Sequence, residues 1–277
     1  MRSSIRNRNG LRCASSVFAL CTALAASAGW AAEYRFTPEP IYPADAAHEI
    51  YKPLLEYLGK ATGNTFVLVS PQNYSTYWRD ILKPGTTDFS YDEAHFADYR
   101  IEQARFIPLV RTSESTSYTL LADAEFENKG ADALLGHSIA TMPAPSLGYA
   151  LLMQFYPNPV QQPKILSSAS SWRDGVQIVF GGEASAAIVP TWLIGAYGYP
   201  NLVTIKTSRQ FSGPAILASP DVPEEIRNQV RDALLKLGDE PQLAELLLQL
   251  GISKFVPAAA KDYAGDRLIL SGFYGYR

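Results

Sequence analysis

The chain has 277 residues, 47% of them hydrophobic and 18% charged, with 24 basic and 27 acidic side chains and a net charge of −3. This length and apolar share are enough for a large buried core, and an acidic balance without basic runs argues against a nucleic-acid partner. The only two cysteines, Cys13 and Cys21, fall near the N-terminus, so the rest of the chain has no disulfide, thiolate nucleophile or cysteine–metal site.

Residues 1–32 carry Arg2, Arg6, Arg8 and Arg12 and no acid, followed by an apolar stretch from Val17 to Ala28 and small residues at Ala26, Ala28, Gly29 and Ala31. A basic head, a short apolar run and an A-x-A pattern describe a secretory signal peptide rather than a membrane span. We assign it to residues 1–31, with cleavage before Gly29 or before Ala32. Cys21 follows Leu20 and Cys13 follows Arg12, which lack the small residues that precede a lipidated cysteine, so no lipoprotein is expected. Both cysteines leave with the leader. Because four of the 24 basic residues are its arginines, 20 basic and 27 acidic side chains remain.

Beyond the leader, Glu33–Ile41 reads as a strand. A helix follows over about Ala46–Lys60, with Ile50, Leu54, Leu55 and Leu58 on one face, and Gly63 is placed to cap it. Thr65–Val69 is β-rich, Tyr74–Leu82 helical, Thr87–Tyr91 a strand and Ala94–Gln103 a helix. Phe106–Arg111 and Tyr118–Ala122 are strands. The alternation then repeats: strand His137–Met142, helix Leu147–Phe155, strand Ile165–Ser167, helix Trp172–Phe180, strand Ala184–Val189. Leu202–Thr207 and Ala215–Ala218 read as strands, and Glu224–Leu237 and Gln242–Leu250 as helices. Strands alternating with helices predict an α/β fold with a largely parallel sheet. Strand-like crossings near Ser117–Leu121 and Phe211–Ala218 divide it into two lobes with a cleft between them. The first lobe takes residues 32–116 and 215–277, the second 117–214. Open α/β sheets bind ligands beyond the carboxyl ends of their strands, which makes the cleft the default site.

Met142–Tyr149 is the sharpest local signal. A strand runs through a proline-bracketed loop into a helix beginning near Ser146, and the first N–H groups of a helix lack internal partners and attract anions. Ser146 with the N–H groups of Leu147 and Gly148 can therefore hold an anion; Ser146 can equally be an ordinary N-cap. Asp92 and Glu93 adjoin at a strand end, where Glu93 suits a helix start and Asp92 can face the cleft. His48, His95 and His137 are scattered without metal-ligand spacing, and neither metal nor cofactor is expected. No G-x-S-x-G, H-E-x-x-H, P-loop or G-x-G-x-x-G after a strand occurs, so the chain does not read as an enzyme.

Several segments resemble the substrate-binding proteins of phosphate, phosphite and phosphonate ABC importers, within the type II periplasmic-binding-protein superfamily. They are Tyr51–Gly63, Gln72-Asn73-Tyr74, Thr87–Tyr91, Ser117-Tyr118, Pro145–Tyr149 and Gly182–Ala187, in the family's order over nearly the whole chain after the leader. The resemblance implies two α/β lobes around a ligand cleft and a periplasmic monomer. It also implies a small phosphoryl-type anion as ligand and an inner-membrane ABC permease as partner. The same fold can serve a sensor docking on a membrane signalling protein such as a histidine kinase or diguanylate cyclase; an exported enzyme is a more distant alternative. Tyr74 and Tyr118 match pocket tyrosines, and Tyr42 is a further candidate. Where aminophosphonate-binding relatives hold the amine with acids and a histidine, this chain aligns Trp172, Trp192 and Gly213. Two tryptophans offer flat apolar walls, and core packing is the alternative for each.

Overall fold

The computed structural model describes residues 31–239, 243–249 and 251–276; the leader lies outside the described residues, apart from Ala31. Residues 31–277 form one compact unit built on two sheets. The first sheet contains β1 (Glu33–Pro38), β2 (Thr65–Leu68), β3 (Phe89–Asp92), β4 (Ile107–Thr112), β10 (Ala215–Ala218) and β11 (Phe255–Pro257), in the spatial order β11-β4-β10-β3-β1-β2. The second contains β5 (Tyr118–Asp123), β6 (Ser138–Ala140), β7 (Lys164–Leu166), β8 (Ala186–Pro190) and β9 (Leu202–Thr207), in the order β7-β6-β8-β5-β9. Each sheet mixes directions: β1 is parallel to β2 and β3, whereas β10 runs antiparallel between β3 and β4. In the second sheet β6 is parallel to β7 and β8, and β5 is antiparallel to β8 and β9.

The chain crosses between the sheets after β4 and again after β9, and the two crossings touch through a Thr116–Phe211 bridge. Among the described residues no helix is long and apolar enough to span a membrane.

Local signals explain most element ends. The helix α1 (Ala44–Thr62) stops at Gly63, whose φ of 69° is left-handed and whose N–H reaches Gly59 O at 2.9 Å. Asn73 caps α2 (Tyr74–Ile81) by accepting from Thr76 N at 2.9 Å, and Ser171 caps α5 (Trp172–Phe180) by accepting from Asp174 N at 3.1 Å. Short elements escape the sequence reading, among them the helix α6 (Thr191–Tyr197), the edge strand β11, and 3-10 turns at Ala124–Phe126, Ala131–Leu134, Ala260–Asp262 and Asp266–Leu270. They are too short to show a period; pairing with β4 and packing on α3 (Ala94–Ala104) hold β11 and the last turn in place.

The apolar interior falls into two clusters. One lies in the first lobe, around Phe36, Tyr51, Leu54, Leu58, Val110 and Ile216. The other joins the α2 and α3 faces (Tyr74, Trp78, Phe96) to the second sheet (Leu120, Ile139, Ile188).

A carboxylate and aromatic cleft

Parallel neighbours β1 and β3 end at the same edge of the first sheet. Glu39 follows one and Glu93 the other, and Glu39 N donates to Tyr91 O at 3.1 Å. Ligand sites of open α/β sheets form at such strand ends. The Glu39 carboxylate accepts the Glu93 backbone N–H and the Tyr74 hydroxyl, the latter at 3.1 Å. Glu93 accepts the hydroxyl of Tyr118, which reaches over from β5 in the second lobe. Glu93 Oε2 is buried with no partner. Burial pushes the Glu39 carboxyl well above the usual range, with the neighbouring charges of Glu93 and Asp92 adding to the rise. Burial also raises Glu93 to about 7, against the pull of the Tyr118 hydrogen bond.

His95 sits next to this pair. Its Nε2 lies 3.2 Å from Pro145 O across the cleft, and burial lowers its pKa to about 3. The neutral ring therefore donates Nε2–H to the carbonyl, leaving Nδ1 buried without a partner. Glu39, Glu93 and His95 each offer a ligand atom within 4.8 Å of the others, the one such trio among the described residues.

A cavity of about 100 Å³ opens above the glutamates. The first lobe lines it with Glu39, Tyr51, Tyr91, Glu93, Glu114 and Gly251, the second with Trp172, Pro190 and Trp192. Among the described residues, no Lys, Arg or His lines it. Trp172 is buried and stands edge-to-face on Tyr118, centroids 5.2 Å apart. Trp192 is 40% exposed and lays its ring over Gly251, where an added Cβ would lie 3.3 Å from the indole. A larger hollow of about 540 Å³ lies beside α2 and α3, bordered by Arg100 and Tyr274. Lys83 and Asp221 also border it, and Arg100 is committed to Asp92.

The expected site residues scatter over several roles. Tyr74 and Tyr118 are both fully buried, and their hydroxyls meet the two glutamates. Trp172 walls the cavity. Tyr42 is half-buried against Tyr51, centroids 6.5 Å apart, and burial pushes its phenol up to about 12; it does not line the cavity. Asp92 turns away from the cavity. It accepts from Arg100 Nε at 2.9 Å, from Ser90 Oγ at 2.5 Å and from the Tyr77 hydroxyl, all within the first lobe. Its charge is thereby neutralised inside the core, and it is not the carboxylate that faces the cleft.

The start of α4 (Leu147–Phe155) is closed. Ser146 is fully buried; its Oγ donates to Met142 O at 3.2 Å and accepts from Tyr149 N at 3.4 Å. Gly148 faces the Trp172 ring: a Cβ there would lie 2.9 Å from the indole and 3.2 Å from Ile188. Ser146, Leu147 and Gly148 do not line the cavity. These contacts of Ser146 and Gly148 lie within the second lobe, while His95 and Phe273 of the first lobe pack on the neighbouring Pro145 and Tyr149. Gly213 has no room for any side chain, since a Cβ would fall 1.9 Å from Thr112 Oγ1 and 2.3 Å from Glu114 O. Glu39 is the residue that motif reading missed. Its signal was an acid bracketed by Pro38 and Pro40 at the end of the first strand; Glu93 was visible only as a helix start.

The sequence matches, over residues 36–263, the family described as the periplasmic phosphonate substrate-binding protein of an ABC transporter. No curated protein is matched. Similar solved structures include PhnD1 from Prochlorococcus marinus in complex with methylphosphonate: TM-score 0.73, 13% identity, covering 86% of this chain and 97% of that one. The phosphonate-transporter binding protein PA3383 from Pseudomonas aeruginosa aligns with a TM-score of 0.72 at 17% identity, covering 87% and 86%. XAC2383 from Xanthomonas citri, bound to ATP, aligns with a TM-score of 0.68 at 14% identity, covering 86% and 98%. At these identities the structures establish the fold, the type II periplasmic-binding-protein architecture. The chain belongs to the family of periplasmic substrate-binding proteins of phosphonate ABC transporters.

Proposed function

We propose that this protein is the solute-binding component of an ABC importer, capturing one small solute in the cleft and presenting the closed form to an inner-membrane permease. The observation that carries this reading is the cavity walled by both lobes, with Glu39, Tyr91 and Glu93 on one side and Trp172 and Trp192 on the other. Closure has its own contacts: Tyr118 on Glu93, His95 on Pro145, Trp192 over Gly251. A ligand bridging the same walls shifts the population toward the closed form by its differential affinity.

The phosphoryl-type anion expected from the start of α4 finds little support in this geometry, because the serine and the glycine there are engaged by Met142, Tyr149 and Trp172. A unit charge about 4 Å from a like charge costs about 4 kcal/mol near a protein surface, and the lining residue Glu114 is a carboxylate that, despite partial burial, is held below the usual range by its hydrogen bonds with Ser253 and Ser113. The test is native mass spectrometry of protein isolated from the periplasm without unfolding, followed by release and identification of what it carries. One small molecule per chain, lost in Trp172→Ala, is the expected result. Phosphate or methylphosphonate binding that disappears in Ser146→Ala would return the site to the α4 helix start. Absence of any solute under both native isolation and titration would overturn the reading.

A further inference from the structure

We propose that the cleft recognises the ammonium group of a small organic amine, held by Glu93 and Glu114 and enclosed by Trp172 and Trp192. This rests on the reading of the cleft as the solute site and names the chemistry that site selects. Three residues that line the cavity each carry a buried oxygen without a hydrogen-bond partner among the described residues: Glu93 Oε2, Glu114 Oε2, whose Oε1 accepts from Ser253 N at 3.1 Å, and the Tyr51 hydroxyl. Unpaired buried polar groups are costly, and the two carboxylate oxygens call for a donor. The carboxylates lack a countercharge as well. Arg100 is bound to Asp92 at 2.9 Å, and among the described residues no basic side chain lines the cavity.

The remaining wall suits a cation. Trp172, Trp192, Tyr51 and Tyr91 surround the glutamates, and aromatic faces attract a desolvated positive charge while excluding water. Glu39 is spoken for by Tyr74 and the Glu93 N–H, so it supports the neighbouring carboxylate rather than the ligand. Unpaired carboxylate oxygens select an ammonium with N–H groups over a quaternary one, because only the former supplies the missing hydrogen bonds. A cavity of about 100 Å³ limits the enclosed portion to the head group and one or two carbons.

Isothermal titration and tryptophan fluorescence on the leaderless protein would compare ethanolamine, choline, methylphosphonate, phosphate and manganese(II). The expected result is one ethanolamine per chain with a change in tryptophan emission, choline binding more weakly. Glu93→Gln, shown folded by circular dichroism, should weaken ethanolamine by at least about tenfold, with Ser146→Ala unchanged. Methylphosphonate or phosphate binding with the same emission change and no ethanolamine binding overturns the ammonium assignment and leaves the solute-binding reading standing. Manganese(II) held by Glu39, Glu93 and His95 to the exclusion of ethanolamine also overturns it. If no probe perturbs either tryptophan, the ammonium assignment and the use of this cleft fall together.

Discussion

Replacing Glu93 by glutamine isolates the cost of the buried carboxylate. Burial raises the Glu93 carboxyl from 4.5 to about 7, so between those values the folded protein keeps a proton that the unfolded chain releases. Its contribution to stability is whole below about pH 4.5 and is lost as pH rises through about 7, at about 1.4 kcal/mol per pH unit. The total over that window is about 3 kcal/mol. Glutamine does not titrate, so Glu93→Gln should gain on the wild type by about 3 kcal/mol between about pH 4.5 and about pH 7, and the difference should level off above about pH 8. Every neighbour must enter the comparison. His95, lowered to about 3, gives the opposite slope up to about pH 6.5 because the unfolded imidazole takes up a proton there; this is common to both proteins and cancels. Glu39 is raised in both, less so in the variant because the Glu93 charge contributes to the rise, which adds to the expected gain. Tyr74 and Tyr118 stay neutral donors throughout, their phenols pushed well above 10 by burial and then by the glutamate charges. Arg100 remains on Asp92. Urea unfolding at one-unit steps from about pH 5 to about pH 8 measures the difference. A gap that does not change with pH would show that Glu93 is an ordinary solvated carboxylate, and one that shrinks as pH rises would reverse the sign of the argument.

Three further substitutions probe the frame around the cleft. Asp92→Ala leaves the Arg100 guanidinium buried without its partner and should destabilise by about 3–5 kcal/mol, measured by chemical unfolding; a loss under about 1 kcal/mol would mean that Arg100 finds water. Gly148→Ala forces a methyl to within 2.9 Å of Trp172 and 3.2 Å of Ile188, so about 1–3 kcal/mol should be lost together with a shift in tryptophan emission. An unchanged spectrum would show that the two do not touch. Gly251→Ala sets a side chain at a φ of 68° under the Trp192 ring. It should cost roughly 1 kcal/mol of backbone strain in unfolding experiments and raise quencher access to Trp192.

The strand and helix order was readable because long amphipathic runs such as Ile50–Leu58 and apolar strands such as Ala215–Ala218 stand out from their surroundings, and because Gly63 is a capping residue by chemistry. The family resemblance was readable for the same reason, as a sequence of such local signals in fixed order. The identity of the groups facing the cleft was not. Asp92 and Glu93 are adjacent in sequence, yet one points inward to Arg100 and the other outward to Tyr118, because successive residues at a strand end face opposite sides. Ser146 stands where a helix start invites an anion, but Trp172, 26 residues later in the chain, folds over Gly148 and closes that end. Glu39 and Glu93 come together only because β1 and β3 are parallel neighbours. Which end of which helix stays open, and which acid loses its countercharge, depends on contacts between segments far apart in the chain. The sequence by itself determined the order of the elements and the family; the sign and chemistry of the cleft belong to the tertiary structure.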